Sequence, residues 1–211
     1  FSEKYLRCDT KNNIYLKEKY YSELTFHYWY WKNILPTEKT KWVGFCQKRR
    51  FWIKSGVQTN QISSENLNHH LLKNINENFN DYDSFICDPI NISGAKKVKI
   101  LKRGWKNLIK DPSIFFNKKK QTIAFHFDMH HGYHNLNKAI ELLNKENKDD
   151  FMSYVNSKNI YNPHIMVIAK PHILEKWFEE LFSWLQRCEE VFGFEKLKGY
   201  DTQRLYAYLA E

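Results

Sequence analysis

Between Tyr20 and Asn33 the chain reads YYSELTFHYWYWKN, and a helix built from it has no continuous polar face. Tyr20, Tyr21, Tyr28, Trp29, Tyr30 and Trp31 put aromatic surface on nearly every side, and a helix that is apolar all round must be buried. The chain therefore has to fold around this element rather than dock it on a surface. Its 211 residues, 42% hydrophobic and 17% aromatic, suffice for one domain with such a core. Glu23 and His27 lie four apart and share a face. A buried carboxylate needs a partner, and His27 is the nearest candidate. Glu23 and Trp29 are also candidates for lining a substrate site, since Tyr28, Trp29 and Trp31 can stack on a sugar face or a base. Aromatic residues at helical spacing belong to a core more often.

After Pro36 and Thr37 the apolar run Trp42–Cys46 reads as a buried strand, and Lys48, Arg49 and Arg50 follow it directly. In open α/β sheets, ligands bind in the crevice beyond the carboxyl ends of strands. Adjacent guanidinium groups there suit a phosphate or diphosphate, whose oxygens they pair bidentately. The competing reading is a solvated basic turn, the usual place for clustered charge.

The formal net charge is +9 and the pI about 9.2, a balance that favours anionic partners. Nucleotide sugars, phospholipid head groups and nucleic acid all qualify, and a compositional drift towards Lys, Asn and Ile raises the pI without any function. Cys8, Cys46, Cys87 and Cys188 are widely spaced with no C-x-x-C, which fits reduced, buried thiols of the cytoplasm rather than a disulfide or zinc framework. No run of ~18 apolar residues marks a membrane span. The opening FSEKYLRCDT has neither an initiating Met nor a signal-peptide core, and LAE closes the chain inside a helical pattern, so both ends read as cut.

Further along, a polar, Asn-rich stretch from Gln58 to Asp83 predicts a loop with one short helix near Leu67–Ile75. Ser84–Cys87 reads as a short buried strand and Val98–Leu101 as another strand or the edge of a loop. Gly104–Lys120, basic and interrupted by Pro112, predicts an exposed excursion over the site. A helix runs from Asn135 to about Lys148, a strand covers IMVIA after Pro163, and the strongest helix spans Ile173–Phe192, stopped by Gly193. A last helix starts near Asp201 and Thr202. Alternating strands and helices make this an α/β chain.

The richest titratable cluster is His126, Asp128, His130, His131 and His134. IAFHFDMH alternates as a strand does, which would put His126, Asp128 and His130 on one face. The alternative, which the family resemblance set out below implies, is a helix ended by Gly132, with Asp128 beside His131, three residues on. Either way Asp128 meets a histidine. Asp128, His130 and His131 are candidate catalytic residues, with Asp128 deprotonating an acceptor hydroxyl or orienting a histidine that does. A divalent metal on Asp128 and a histidine is a second use, and a surface His-rich turn the third. Asp81-Tyr82-Asp83 matches a metal-binding Asp-x-Asp in letters only, because it precedes the apolar run SFIC instead of following it. The arginines can neutralise a leaving diphosphate without a metal, and no metal ligand is assigned. Asn162 and His164 flank Pro163 at the entrance to a strand, either lining the site or capping the strand.

Three blocks carry a family resemblance. YSELTFHYWYWKN resembles the "Y-x-E-L-T-x-x-Y-W-x-W-K-N" stretch of the domain of unknown function 4422 family. WVGFCQKRRFW follows its "Y-I-G-L-x-H-Y-R-R-Y-F". YNPHIMVIAKPHILEKWFEELFSWLQRCEEVFG resembles its "N-x-x-I-M-x-K-x-x-L-x-x-Y-x-x-W-L-F-x-x-L-x-x-x-E" region. Gln47-Lys48 stands where the family has His-Tyr, so a role for that histidine does not carry over, whereas Arg49 and Arg50 match. The family's proteins are ascribed to sugar transfer in bacterial capsule and lipopolysaccharide synthesis. The resemblance implies a single GT-A-like α/β glycosyltransferase domain over residues 1–211, with a central mixed sheet flanked by helices, and a first strand preceding this chain. It also implies a nucleotide-sugar donor on Arg49 and Arg50, beside which the residues themselves offer Lys48, and a polysaccharide or lipid-linked acceptor, at the cytoplasmic face of a membrane the protein touches peripherally. A basic nucleic-acid-binding module is the alternative, but the sequence carries no RNP, KH or helix-turn-helix signature and its aromatics fall in a helix that must be buried. No nucleic acid partner is expected.

Overall fold

A computed structural model of the chain describes residues 5–75, 79 and 81–211. The aromatic segment opens the fold as two helices, α1 (Glu18–Tyr21) and α2 (Leu24–Asn33), rather than the single one its pattern predicts. Ser22 separates them with φ of 52°, and its carbonyl accepts from the Thr25 hydroxyl at 2.9 Å. As required, α2 is enclosed: Leu24, Trp29 and Trp31 are buried, and Trp31 stacks on Phe182 with ring centroids 5.5 Å apart.

The chain then forms β1 (Val43–Gly44), α3 (Leu67–His70), β2 (Ser84–Ile86) and β3 (Ile90–Asn91). α4 (Lys97–Arg103), α5 (Trp105–Lys110), α6 (Ile123–His131), α7 (Asn135–Ile140) and α8 (Lys145–Ser157) come next. β4 (Ile160–Tyr161), β5 (Val167–Ala169), α9 (Pro171–Phe192), α10 (Tyr200–Gln203) and α11 (Leu205–Ala210) complete it. Helices and strands mix as an α/β chain should, but every strand pair among the described residues is antiparallel, in place of the mixed sheet expected. β5 lies between β1 and β2, with Val43 opposite Ala169 and Phe85 opposite Ile168, and β3 pairs with β4 separately. As an edge strand, β1 buries only one side. Val43 and Phe45 face the core while Gly44 and Cys46 face outward, so Trp42–Cys46 is half-buried rather than buried.

The core lies between this sheet and α9, whose Leu174, Phe178, Leu185 and Cys188 are fully enclosed, with Leu24, Ile140 and Tyr206 packed against them. Pro171 opens α9 at a position where its missing N–H is not needed, and Gly193, at φ 59°, ends it. Two segments differ from the pattern reading. Lys97–Arg103 is helical, not a strand, because Ile100 alone turns inward to meet Ile114, Phe125 and Met129 in a small second core. The helix from Asn135 stops at Ile140, and α8 is a separate element. Of the four cysteines only Cys188 is buried; Cys46 is exposed and the others half-buried. Among the described residues no helix is long and apolar enough to cross a membrane.

Candidate active site

Beyond β1 the chain reverses tightly. The Gln47 N–H donates to the Arg50 carbonyl at 3.1 Å and the Arg50 N–H returns to the Gln47 carbonyl at 3.2 Å, which leaves Lys48 and Arg49 at the tip. The Trp52 indole N–H closes the base of this hairpin on the Phe45 carbonyl at 2.9 Å. Lys48, Arg49 and Arg50 are exposed, and all three border a cleft of about 720 Å³. The start of α2 supplies one wall through Ser22 and Glu23, and the last two helices supply the other through Tyr200, Arg204, Tyr208 and Glu211.

Inside the cleft, cations and carboxylates are joined by one amide. Gln47 Nε2 donates to Glu23 Oε1 at 2.5 Å, and Gln47 Oε1 accepts from Arg50 Nη1 at 3.2 Å. Burial holds the Glu23 carboxyl above its ordinary range, against the pull of the Gln47 hydrogen bond and of Arg50 and Arg204. Glu211 is pushed up further, to about 8, by burial first and then by the charge of Glu23, with Arg50 opposing. Two carboxylates thus repel each other across a site rimmed by guanidinium groups. Glu211 also borders an apolar groove of about 330 Å³ lined by Asn162, His164 and Trp177, and a narrow cavity of about 90 Å³ beside His131 and Tyr208. Three spaces meet at this one side chain.

The expected site residues divide accordingly. Lys48, Arg49, Arg50 and Glu23 share the main cleft. Glu23 pairs with Gln47 and not with His27, whose ring is fully buried, has Nδ1 without a partner and is pushed down to about 3 by burial. Asn162 and His164 stand in the adjoining groove. The Asn162 amide donates to the Cys87 carbonyl at 3.0 Å and accepts from the His164 N–H at 3.2 Å, while burial and then Arg50 lower the His164 pKa. Trp29 does not line the site: it is 3% exposed and stacks on Phe26, because the all-round apolar helix is consumed by the core.

The Asp–His cluster does not join the arginines. The segment is the helix α6, and Gly132, at φ 107°, ends it where a side chain would collide with Asn135. The chain then doubles back so that the His134 N–H donates to Asp128 Oδ1 at 2.8 Å, and Asn107 Nδ2 donates to Oδ2 at 2.8 Å. Asp128 is therefore occupied by a turn and by α5; its carboxyl is raised by burial, and it borders none of the three spaces described. Its expected partner, His131, instead stacks on Tyr208 with centroids 3.8 Å apart, its Nδ1 3.0 Å from the Asp201 carbonyl. The His130 ring lies tilted against His126 with centroids 4.6 Å apart and meets Arg103 at 3.2 Å. Burial lowers His126, His130 and His131 to about 4 each. Asp83 of the Asp-x-Asp lookalike is paired with Lys170 at 2.8 Å. Among the described residues, no group of three or more His, Cys, Asp and Glu side chains is placed to hold a metal ion.

Among the cleft residues that the sequence reading did not propose for the site are Gln47, Arg204, Tyr208 and Glu211. The last three recur at spacings of four and three, one face of a helix, and this was the signal available in the sequence.

Comparison with known proteins agrees with this architecture. The sequence matches the family described as Domain of unknown function (DUF4422) over residues 1–211. The chain belongs to that family. Among solved structures it resembles the apo form of the bifunctional glycosyltransferase WbbM, with a TM-score of 0.69 at 19% identity. The match covers 96% of this chain and 34% of that one, so the chain spans about a third of the length of that structure. At this identity the likeness establishes a common fold. No curated protein matches the sequence.

Proposed function

We propose that this chain is a single GT-A-like glycosyltransferase domain that moves a sugar from a nucleotide-sugar donor to a bacterial surface polysaccharide or lipid-linked acceptor on the cytoplasmic side of the membrane. The observation that carries the reading is the cleft in which Lys48, Arg49 and Arg50 face Arg204 across two carboxylates. A sugar nucleotide carries a diphosphate, and guanidinium forks pair its oxygens bidentately. In the transfer, the acceptor oxygen bonds to the anomeric carbon as the carbon–oxygen bond to the diphosphate breaks. The electron pair leaves on the nucleoside diphosphate, whose charge the arginines stabilise, and Glu211 takes the acceptor proton. A carboxyl near 8 suits that task, since a base works best with a pKa close to the operating pH. The groove beside Trp177 offers an aromatic face to an acceptor ring. The aromatic helix offers nucleic acid no stacking platform, because Trp29 and Trp31 are only 3% and 7% exposed.

Thermal-shift and calorimetric screening against uridine, guanosine and thymidine diphosphate sugars tests the reading. One nucleotide class should bind, and Arg50→Ala should weaken it about tenfold or more with little change in melting temperature, as loss of a charge-assisted contact from an exposed side chain requires. No binding by any sugar nucleotide, or an Arg50→Ala variant that binds normally, would refute it.

A further inference from the structure

Residues 96–120 hold ten of the chain's 33 Lys and Arg and a single acid, Asp111. Their net +9 equals that of the whole molecule, so the remaining residues sum to zero. The basic balance is therefore one local feature and not a drift spread along the sequence. The same segment exposes apolar side chains. Val98, Leu101, Trp105, Ile109 and Phe116 are all exposed, with Ile109 at 71% and Phe116 at 78%. The first four recur at intervals of three and four, the spacing of one stripe along consecutive helical turns.

This stripe is not a misplaced core face. Ile100 and Ile114 already fill the second core with Phe125 and Met129, and Leu108 packs on it, which fixes the inward side of α4 and α5. Gly104, between the two helices, sits so close to Phe125 that a Cβ would come within 2.9 Å of the ring. The helices are thus pressed onto α6, and their apolar stripe faces away. Exposed large apolar residues interleaved with lysines mark a surface that meets a partner both apolar and anionic.

We propose that α4, α5 and the basic stretch after them form a membrane-docking surface that seats this chain on an anionic lipid bilayer. Indole, aliphatic and phenyl groups enter the head-group boundary while the surrounding lysines pair with lipid phosphates. Trp105 and Phe116 have flat faces, but Val98, Leu101 and Ile109 on the same surface have none for a base to stack on, so nucleic acid fits less well. The surface also adjoins the cleft: Arg103 at the end of α4 pairs with Asp201 of α10 at 3.0 Å, and the neighbouring Tyr200 borders the cleft. Docking here would hold the cleft mouth near a lipid-linked acceptor. The inference does not depend on the proposed chemistry, because its test contains no sugar nucleotide.

Vesicle co-sedimentation supplies that test. The protein should partition onto vesicles of phosphatidylethanolamine and phosphatidylglycerol, less so as salt rises, and not onto phosphatidylcholine alone. Lys102→Glu with Lys119→Glu should lower partitioning more than tenfold, since each basic residue near such a surface contributes about fivefold and reversal does more than remove it. Trp105→Ser with Ile109→Ser should lower it by a similar factor. Unchanged melting temperatures would show that both variants fold. Failure to bind anionic vesicles, equal binding to phosphatidylcholine, or indifference to the Trp105/Ile109 change would overturn the proposal. So would tight binding of a single-stranded DNA oligonucleotide through the same lysines in a protein that ignores vesicles.

Discussion

Gln47 uses both ends of its amide, one on Glu23 and one on Arg50, at the position where the family pattern carries histidine. A neutral amide can bridge a carboxylate and a guanidinium whatever the pH, so this chain keeps the link without a titrating ring. The consequential residue is Glu211. Its folded pKa of about 8 lies above the 4.5 of an ordinary glutamate, so the folded state keeps a proton that the unfolded state has lost. Stability therefore falls as pH rises from about 4.5 through 8. Glu211→Gln removes that penalty and the proposed base together. It should raise the melting temperature at mildly alkaline pH, leave sugar-nucleotide affinity intact and cut turnover by roughly a hundredfold or more. Wild-type turnover should climb through a pKa near 8. A variant with full activity would remove Glu211 from the mechanism. The arginines were legible in the sequence because they follow an apolar run directly; Glu211 was not, because its helical spacing from Arg204 and Tyr208 marks a shared face without saying what that face meets.

At the scale of elements, the local pattern of α6 fitted a strand as well as a helix and only the family resemblance favoured the helix, while the direction of Asp128 was not readable at all. Spacing places Asp128 near His131 on the helix surface. What captures it is the reversal after Gly132, with His134 at φ 62°, and the approach of α5 carrying Asn107. Asp128 then ties three helices together. Asp128→Ala should lower stability by roughly 1–3 kcal/mol, the cost of leaving half-buried donors unpaired, and leave sugar-nucleotide binding unchanged. Urea unfolding alongside calorimetry separates the two effects, and lost binding with unaltered stability would return Asp128 to the site. Lys97–Arg103 was misread for a related reason. A short run of lysines and β-branched residues has no decisive period, and the burial of Ile100 alone against Phe125 and Met129 selects the helix.

For the whole molecule, burial divides the titrating groups into two opposed sets. His27, His126, His130 and His131 are held well below 6.5, so between 6.5 and about 4 the unfolded chain binds protons that the folded chain refuses. Stability must fall as pH drops through that window, while Glu211 erodes it on the alkaline side. Melting temperature should peak near pH 6.5, and His131→Gln should flatten the acid limb; a flat profile between 6.5 and 4 would contradict the burial of these rings. By itself the sequence determined what composition and local period dictate: an aromatic helix that must be enclosed, α9 with its glycine stop, and a cluster of cations at the end of an apolar run. Those follow from the insolubility of apolar surface and from the repeat of the helix, which act over a few residues. Only the tertiary structure decided which carboxylates face the cations. Glu23 and Glu211 come from opposite ends of the chain, and their meeting depends on how α1, α2 and α11 close around the core. It decided equally that the lysines of α4 and α5 look outward, because the inward positions were taken by Ile100 and Leu108. Contacts between distant segments are fixed by packing, and packing has no period to read in a sequence.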